Sequence, residues 1–516
     1  MKKKVIAAAV AATLGHTAAN AVSVNPNGLG QVLIYPYYTV QESGAGTFDT
    51  LVTVVNTTNL TKAVKVRFIE SKASIEVLDF NLYLSPNDVW TGAIVADDAG
   101  GARLITADKS CTTPSIPAGG VAFRNQLYDP AQGGQDDGAG VGLDRTREGY
   151  IEMFDMGTVI DSKDGTPAGA APNPFTPEAW ALHGADGVPA DCNSLSVAWS
   201  TGAWNNPPAG FNQGSINVAQ PVGGLFGTVS LINVSEGSDY GYDAVALSDF
   251  FVPFSSTDAF HTQPSSLLPN LGNVLPKVSN ILAGNSVITS TWLGAGATSV
   301  DPVSAVLMNA TMENDYVTEA NIAAATSFVY TMPTKRFHVN IGINAGATAP
   351  FTESFFGSAC EPVTYTAWDR EEKTEVPEVL IDFSPTPVVI PDQSVLCFEA
   401  NVVNINDTDV LGSQTADQNK VNVSFDNGWL LTDFTNNAGH RMVADDGTTY
   451  HGLPVIGFSA QRYFNGTLAT SNGTALSNYG GLFQHKNSAM ITDAAGVNLA
   501  APARSQFPDN DSVLSQ

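Results

Sequence analysis

The side chains in this sequence that could do chemistry are sparse, and the densest group is a run of carboxylates. Asp369, Glu371 and Glu372 lie in the segment AWDREEK, residues 367–373. Two carboxyl groups held about 5–10 Å apart can act as acid and nucleophile in glycoside cleavage. However, charges packed this closely in a chain that is 14% charged more often form a solvated turn with local ion pairs. We therefore predict a turn at this segment.

Other signatures of hydrolytic enzymes are missing from the sequence. It contains no G-x-S-x-G elbow for a serine nucleophile and no H-E-x-x-H pair for a catalytic zinc ion. His338 lies in a strand-like run, and we expect four other isolated histidines in loops or at the surface: His183, His440, His451 and His485. We assign no catalytic, cofactor-binding or metal-binding residue, and an enzyme is the less favoured interpretation.

Calcium is the cofactor that the composition could best support, because Asp, Asn and carbonyl oxygens are its preferred ligands. Residues 161–165 and 404–409 carry partial spacing of such side chains. Neither segment has both the glycine and the closing glutamate of an EF-hand loop. We predict turns capped by Asp and Asn side chains and no cofactor, with a structural Ca²⁺ ion as the open alternative.

The four cysteines form two local pairs, Cys111 with Cys192 and Cys360 with Cys397. The chain has no C-x-x-C pair and no histidine at ligand spacing from a cysteine, which argues against zinc. Four cysteines allow three pairings, and the sequential one closes the smallest loops. We predict disulfides Cys111–Cys192 and Cys360–Cys397 in an oxidising compartment.

The N-terminus predicts that compartment independently. Three lysines precede an apolar run over residues 5–14, and Ala19-Asn20-Ala21 offers the small residues that a signal peptidase reads. The run is too short to cross a bilayer, and no later apolar run reaches that length. Residues 1–21 are therefore predicted to be a signal peptide. Its removal would leave a protein of the periplasm, cell surface or medium, with no transmembrane segment.

The charge balance narrows the class of partner. The formal net charge is -27, and the acidic residues are scattered among Gly, Asn, Ser and Thr. A nucleic-acid partner is not expected, because few cationic side chains are available to neutralise phosphates. A cell-surface, matrix or glycan partner stays open.

The elements that must position these side chains are predicted to be strands. Val66 and Phe68 alternate with Lys65 and Arg67, and a second run alternates in the same way through Leu78, Phe80, Leu82 and Leu84. This period of two is typical of strands with one buried face. We expect Lys65, Arg67 and Asp79 to face water. The fold class is mainly β, an antiparallel β-sandwich of immunoglobulin-like or jelly-roll-like type. Short helices are expected after Thr176 and from Asp301.

The length of 516 residues allows more than one domain. We predict a β-sandwich domain at 22–260 containing Cys111–Cys192 and a second β-rich domain at 261–505 containing Cys360–Cys397. A flexible tail at 506–516 would follow. The low-charge, proline-containing stretch near residue 260 marks the boundary.

Five segments together resemble a recurring set in exported proteins of Gram-negative bacteria. They are LDFNLYLSPNDVWTG (78–92), EGYIEMFDMG (148–157), MPTKRFHV (332–339), AWDREEK (367–373) and GLPVIGF (452–458). This resemblance spans nearly the whole mature chain. It implies an exported or cell-surface protein of an uncharacterised family, with no known activity and no catalytic residues.

Two classes of function follow from these observations. The favoured one is a secreted or cell-surface structural or adhesive protein without enzymatic activity. The alternative is an extracellular carbohydrate-binding or carbohydrate-active protein, because sandwiches can carry such sites and seven tryptophans could stack on sugars. Whether the tryptophans are buried or line one exposed groove discriminates between them.

Overall fold

The computed structural model shows a mainly β protein built from antiparallel sheets, as the alternating runs predict. It describes residues 21–44, 46–161, 175–207, 212–251, 260–283, 286–294, 296–339, 346–376, 380–381, 388–389, 394–416, 420–471 and 473–500. All but the last residue of the predicted signal peptide and the whole of the predicted tail at 506–516 lie outside the described residues. Both stay predictions.

Two sheets pack into a sandwich in the N-terminal half. Their strands and a small hairpin are β1 (Ser23–Val24), β2 (Val32–Thr39), β3 (Glu42–Ser43), β4 (Gly46–Thr47), β5 (Asp49–Asn56), β6 (Thr61–Glu70), β7 (Glu76–Leu84), β8 (Val89–Ala96), β9 (Ala102–Ile105), β10 (Cys111–Thr113), β11 (Val121–Ala122), β12 (Glu148–Val159), β13 (Val218–Ala219), β14 (Leu225–Asn233), β15 (Ser238–Asp243) and β16 (Val245–Ser248). Sheet A has the order β1-β16-β2-β12-β6-β7-β10, with β13 beside β12. Sheet B has the order β11-β9-β8-β5-β14-β15.

The C-terminal half forms a second pair of sheets. Its strands are β17 (Val278–Ala283), β18 (Ser286–Thr291), β19 (Met308–Asn309), β20 (Thr311–Val317), β21 (Ala324–Thr331), β22 (Glu361–Trp368), β23 (Thr374–Glu375), β24 (Leu380–Ile381), β25 (Val388–Val389), β26 (Ser394–Leu396), β27 (Ala400–Ile405), β28 (Lys420–Val421), β29 (Asn427–Asp433), β30 (Arg441–Val443), β31 (Thr449–His451), β32 (Leu453–Pro454), β33 (Ile456–Thr470), β34 (Gly473–Gln484), β35 (Lys486–Ser488) and β36 (Met490–Thr492). Sheet C has the order β23-β22-β29-β20-β35, with β26 beside β22. Sheet D has the order β28-β27-β21-β33-β34.

Helices are short, as predicted. The α-helices are α1 (Pro177–Ala181), α2 (Cys192–Ser200) and α3 (Asp301–Val306), and the 3-10 turns are Pro130–Gln132, Leu143–Arg147, Leu271–Asn273, Ala320–Ile322 and Lys335–Phe337. The sequence predicts α1 and α3 from a proline at or next to the first helical position. It does not predict α2, whose start is capped by the Asp191 side chain.

The two halves share one hydrophobic interior. Strand β21 of sheet D is buried on both faces: Phe328 and Tyr330 point toward the core formed with sheet C, whereas Val329 belongs to the main core of sheets A and B. The Phe458 ring of sheet D stacks on Tyr242 of the N-terminal half, with centroids 5.0 Å apart. This contact joins the two sandwiches. The predicted domain boundary between residues 260 and 261 stays a prediction.

The sequence-based prediction fails at the second face of sheet A. Val66 and Phe68 point into the core and Lys65 and Arg67 point the other way, as the alternation predicts, but this other face is not in contact with water. Lys65 is completely buried and Arg67 is 2% exposed. The expectation that Lys65, Arg67 and Asp79 face solvent is wrong for both cations, and the Asp79 side chain is only 10% exposed.

A third layer covers that face. Helices α1 and α2 and the aromatic rings of Trp199 and Trp204 pack on Tyr83 of sheet A, and the Trp199 indole donates to the Tyr83 hydroxyl at 2.8 Å. Backbone carbonyls of Thr262 and Gln263 lie over the charged row and accept from Asn81 and Lys65. The polar side of the strands is therefore bonded inside the protein.

Both disulfides are present in the predicted pairing. Cys111 is bonded to Cys192 and Cys360 to Cys397, with Cα atoms 5.1 Å and 3.7 Å apart. The first attaches α2 to strand β10 at the edge of sheet A. Two disulfides fit an oxidising compartment outside the cytoplasm. Among the described residues, no helix is both long and apolar enough to span a bilayer.

Candidate functional site

The carboxylate run forms the turn that the sequence predicts. It connects β22 to β23, and the Asp369 side chain accepts from the backbone amides of Glu371 and Lys373, each at 2.8 Å. The Lys373 ammonium lies 3.9 Å from the same carboxylate. Asp369 therefore serves to close the hairpin, and Glu371 and Glu372 are exposed at its tip.

The candidate calcium segment at 404–409 is also a turn. Asn406 has a left-handed backbone, and its side chain bonds Thr318 and the amide of Val423. The Asp409 carboxylate accepts from the amides of Leu411 and Gly412. Of residues 161–165 only Asp161 is described. No group of three or more His, Cys, Asp or Glu side chains in the described part of the chain is placed to hold a metal ion.

The histidines match the expectation only in part. His338 follows a 3-10 turn instead of lying in a strand, and it is fully buried between the hydroxyls of Ser304 and Thr348. His440 and His485 lie outside the helices and strands, as expected for loop residues, but both are buried. The His440 ring lies 2.9 Å from a carboxylate oxygen of Glu361. His183 and His451 are partly exposed.

Lys335 and Glu399 are two fully buried ionisable side chains. The fully buried Lys335 ammonium donates to the carbonyls of Ala359, Leu396 and Phe398 at 2.6–3.3 Å, which flank the Cys360–Cys397 bond. Burial raises the pKa of Glu399 to about 8. One Glu399 oxygen accepts from the amide of Arg336. Because Lys335 bonds three backbone carbonyls, we interpret these two side chains as structural.

The tryptophans divide into two groups. Trp90, Trp199, Trp204 and Trp292 are buried, whereas Trp180, Trp368 and Trp429 are partly exposed. Trp180 contacts Phe175 in the layer that covers sheet A. Trp368 and Trp429 are different, because they are cross-strand neighbours on the outer face of sheet C. Their rings stack with centroids 4.0 Å apart and planes within 8°.

A groove opens beside this stacked pair. It has a volume of about 560 Å³ and is lined by Trp429, by Glu313, Asn314 and Asp315 of β20, by Leu482, Phe483 and Gln484 of β34, and by Lys486 of β35. We call it the Trp429–Phe483 groove. The Phe483 side chain is 45% exposed. The polar groups of the lining are two carboxylates, one ammonium and two amides.

The groove exists because the chain changes sheets at His485. Strand β34 ends in sheet D at Gln484, and β35 begins in sheet C at Lys486. The buried His485 ring lies 3.2 Å from the carbonyl of Val329 and stacks on Tyr330. Burial lowers the pKa of His485 to about 3, so the ring is neutral and its second nitrogen can accept from the Asn314 amide. Asn314 also donates to the Phe483 carbonyl at 2.9 Å.

A glycine also makes room for the Phe483 ring that lines the groove. The Phe483 ring lies over Gly481, where an added Cβ would approach two ring carbons to 3.0 and 3.2 Å. A side chain at this position would therefore require the ring to shift by a few tenths of an ångström. The glycine gives the Phe483 ring room to lie over the strand.

A second, larger cleft of about 800 Å³ lies between the two halves. Its lining is mainly aliphatic and includes the stacked Tyr242 and Phe458. The Tyr242 hydroxyl already donates to the Tyr37 carbonyl. No paired acid and base or nucleophile stands out along this lining, so we do not treat the cleft as the candidate site.

Comparison with known proteins adds no relative. No family model matches the chain, and neither the curated proteins nor the solved structures give a match. The functional interpretation therefore rests on the molecule itself.

Proposed function

We propose that this is an exported, non-enzymatic protein of the bacterial cell surface or matrix with a structural or adhesive role. The observation that supports it most is how the reactive side chains are used. All four cysteines are in disulfides, Asp369 closes a hairpin, and His440 pairs with Glu361 in the interior. These groups stabilise a rigid scaffold, and the function is then carried by its surface.

Membership of the exported Gram-negative family described above is part of this proposal. Two of the five segments contain residues with structural roles. Residues 332–339 contain the buried Lys335 that bonds three carbonyls around a disulfide, and residues 367–373 contain Asp369, which closes a hairpin. Such positions favour a common scaffold rather than a common active site. Final location at the surface, in the matrix or in the periplasm belongs to the same proposal.

Fractionation tests this proposal. Cells that produce the protein are separated into cytoplasm, periplasm, outer membrane, surface-shaved material and medium, and the full chain is followed by antibody. We expect a processed protein that begins near Val22, in the periplasm, surface material or medium. An unprocessed protein confined to the cytoplasm would overturn the proposal.

A turnover assay tests the non-enzymatic part. The purified protein is incubated with polysaccharides, esters and peptides, with and without Ca²⁺, and we expect no products. Turnover that disappears in Asp369→Ala or Glu371→Ala, while circular dichroism shows the fold intact, would favour a carbohydrate-active enzyme instead.

The second candidate function is extracellular carbohydrate binding. One observation favours it: Trp368 and Trp429 form a partly exposed stacked pair beside an open groove, whereas four other tryptophans are buried. Aromatic platforms of this kind give large contact area with little loss of conformational freedom. It is compatible with an adhesive role, because glycans are abundant at cell surfaces.

A further inference from the structure

We propose that the Trp429–Phe483 groove binds a pyranose oligosaccharide that carries no negative charge, an inference that rests on the adhesive role proposed above. The groove volume of about 560 Å³ lies within the range of small-molecule sites, roughly 300–1,000 Å³. It combines aromatic walls with a few polar groups. That combination matches a sugar, which has apolar C–H faces and a rim of hydroxyls.

The aromatic part of the site is held in place before a ligand arrives. Trp368 covers one face of Trp429 at a centroid distance of 4.0 Å, so the Trp429 ring cannot rotate freely. The backbone of Phe483 is fixed by the bond from Asn314 to its carbonyl, and the absence of a side chain at Gly481 lets its ring lie over that residue. Because the stacked Trp429 ring loses little conformational freedom on binding, more of its contact energy appears as affinity.

The polar part can satisfy hydroxyl groups. Glu313 and Asp315 offer carboxylate acceptors, Lys486 offers donors, and Gln484 offers both. Lys486 is the cross-strand partner of Glu313, which places a cation beside the anion at the groove floor. A sugar hydroxyl can both donate and accept, so such a mixed set fits it better than it fits a purely apolar ligand.

The charge of the site and of the chain excludes acidic sugars. The groove has two carboxylates against one lysine, and the whole chain carries a formal charge of -27. A polyuronate or sulfated glycan would be repelled both at a distance and at contact. The expected ligand is therefore a neutral pyranose chain, such as one made of glucose or N-acetylglucosamine units.

Isothermal titration calorimetry on the full mature protein tests this site. The probes are cellohexaose and chitohexaose, which are neutral, and hexagalacturonate, which is anionic. We expect binding of at least one neutral hexamer and at least tenfold weaker binding of the anionic one. Trp429→Ala and Phe483→Ala should each weaken the neutral binding at least about tenfold, a loss of about 1.4 kcal/mol.

Phe356→Ala is the matched control. Phe356 is 92% exposed and is not part of the groove lining, so its loss removes an exposed ring without changing the site. We expect unchanged affinity. If Trp429→Ala fails to fold, Phe483→Ala still tests the site. The Phe483 ring is 45% exposed, so its removal should disturb the hydrophobic core less.

Three results would overturn the inference: no heat from either neutral hexamer, unchanged affinity in both groove variants, or equal affinity for the anionic hexamer. Each of these would leave the export and surface location standing, since those are measured by fractionation. A cytoplasmic location would instead remove the adhesive role and leave the titration of the purified protein unaffected.

Discussion

Sheet A and sheet C are built alike and end in opposite surroundings. Each has strands that alternate between core residues and polar or aromatic residues, and each packs one face against a partner sheet. The other face of sheet A is covered by α1, α2 and the segment near residue 262, whereas the Trp368 and Trp429 face of sheet C opens into a groove. A ligand can reach only the second kind of face.

Charged side chains also have different surroundings on these two faces. On the covered face of sheet A the Arg67 guanidinium bonds both Glu76 and Glu152, at 2.5 and 2.6 Å, and all three groups are nearly free of solvent. Such pairs persist only where each charge is matched. On sheet C, Glu313 and Asp315 border open space and are not buried. The charges on the covered face of sheet A are therefore paired inside the protein, whereas those beside the Trp429–Phe483 groove are open to solvent.

The largest effect is expected from Arg67→Ala. It removes the cation from Glu76 and Glu152 and leaves two buried carboxylates without their charge partner. We expect a loss of about 3–5 kcal/mol in the free energy of unfolding. Urea denaturation followed by fluorescence measures it. A loss below about 1 kcal/mol would mean that the face of sheet A is open to water after all.

Two tryptophans provide a matched pair on the two faces. Trp204 is fully buried in the layer over sheet A, so Trp204→Ala should cost about 3–5 kcal/mol. Trp429 is partly exposed, and Trp429→Ala should cost less than half as much in the same denaturation experiment. Equal costs would remove the distinction between a covered and an open face.

Lys65→Ala tests whether the segment near residue 263 covers the outer face of sheet A. Lys65 bonds the Asp79 carboxylate at 2.8 Å and the Gln263 carbonyl at 3.1 Å. Because its removal leaves buried acceptors with fewer donors, we expect a loss of about 2–4 kcal/mol. A solvent-facing lysine would instead stay within about 0.5 kcal/mol of the wild type. Thermal unfolding and urea midpoints distinguish the two outcomes.

The pH dependence of the unfolding free energy tests the buried carboxyl group of Glu399. Burial raises the pKa of Glu399 to about 8, above its unfolded value near 4.5, so the folded state holds this proton more tightly. Its contribution to stability is complete at low pH and is lost as pH rises from about 4.5 through 8. Glu399→Gln should therefore flatten the fall in unfolding free energy between pH 6 and 9. A profile identical to the wild type would contradict this.

The smallest effect is expected at the carboxylate hairpin. Lys373 is 74% exposed and lies 3.9 Å from Asp369. Lys373→Ala should change the unfolding free energy by no more than about 0.5 kcal/mol, because exposed ion pairs contribute little. A loss of several kcal/mol in the same denaturation experiment would show that this turn is more than a solvated hairpin.

Much of the fold follows from local sequence, but what packs against the outer face of a sheet does not. The alternation through Val66 and Phe68 correctly assigns which side chains share a face. It carries no information about what packs on the other face, which here comes from carbonyls of residues 262 and 263, almost 200 positions along the chain. Burial of Lys65 and Arg67 was therefore beyond the reach of periodicity.

The groove left one signal in the sequence. Trp368 occupies the polar side of β22, in line with Thr364 and Thr366, and a tryptophan there has no core to enter. Its partner Trp429 is set by the register between β22 and β29, which sequence does not determine. The corner at His485 depends in turn on contacts with Val329 and Tyr330 in another sheet.

Hydroxyl-radical footprinting with and without chitohexaose tests the contrast between the two faces most directly, with cellohexaose run in parallel. We predict that Trp429 and Phe483 are oxidised in the unliganded protein and protected when a neutral hexamer binds, whereas Trp204 stays unmodified in both states because it is fully buried. Oxidation of Trp204 to the same extent as Trp429, or unchanged labelling of Trp429 and Phe483 at saturating concentrations of both hexamers, would contradict the account.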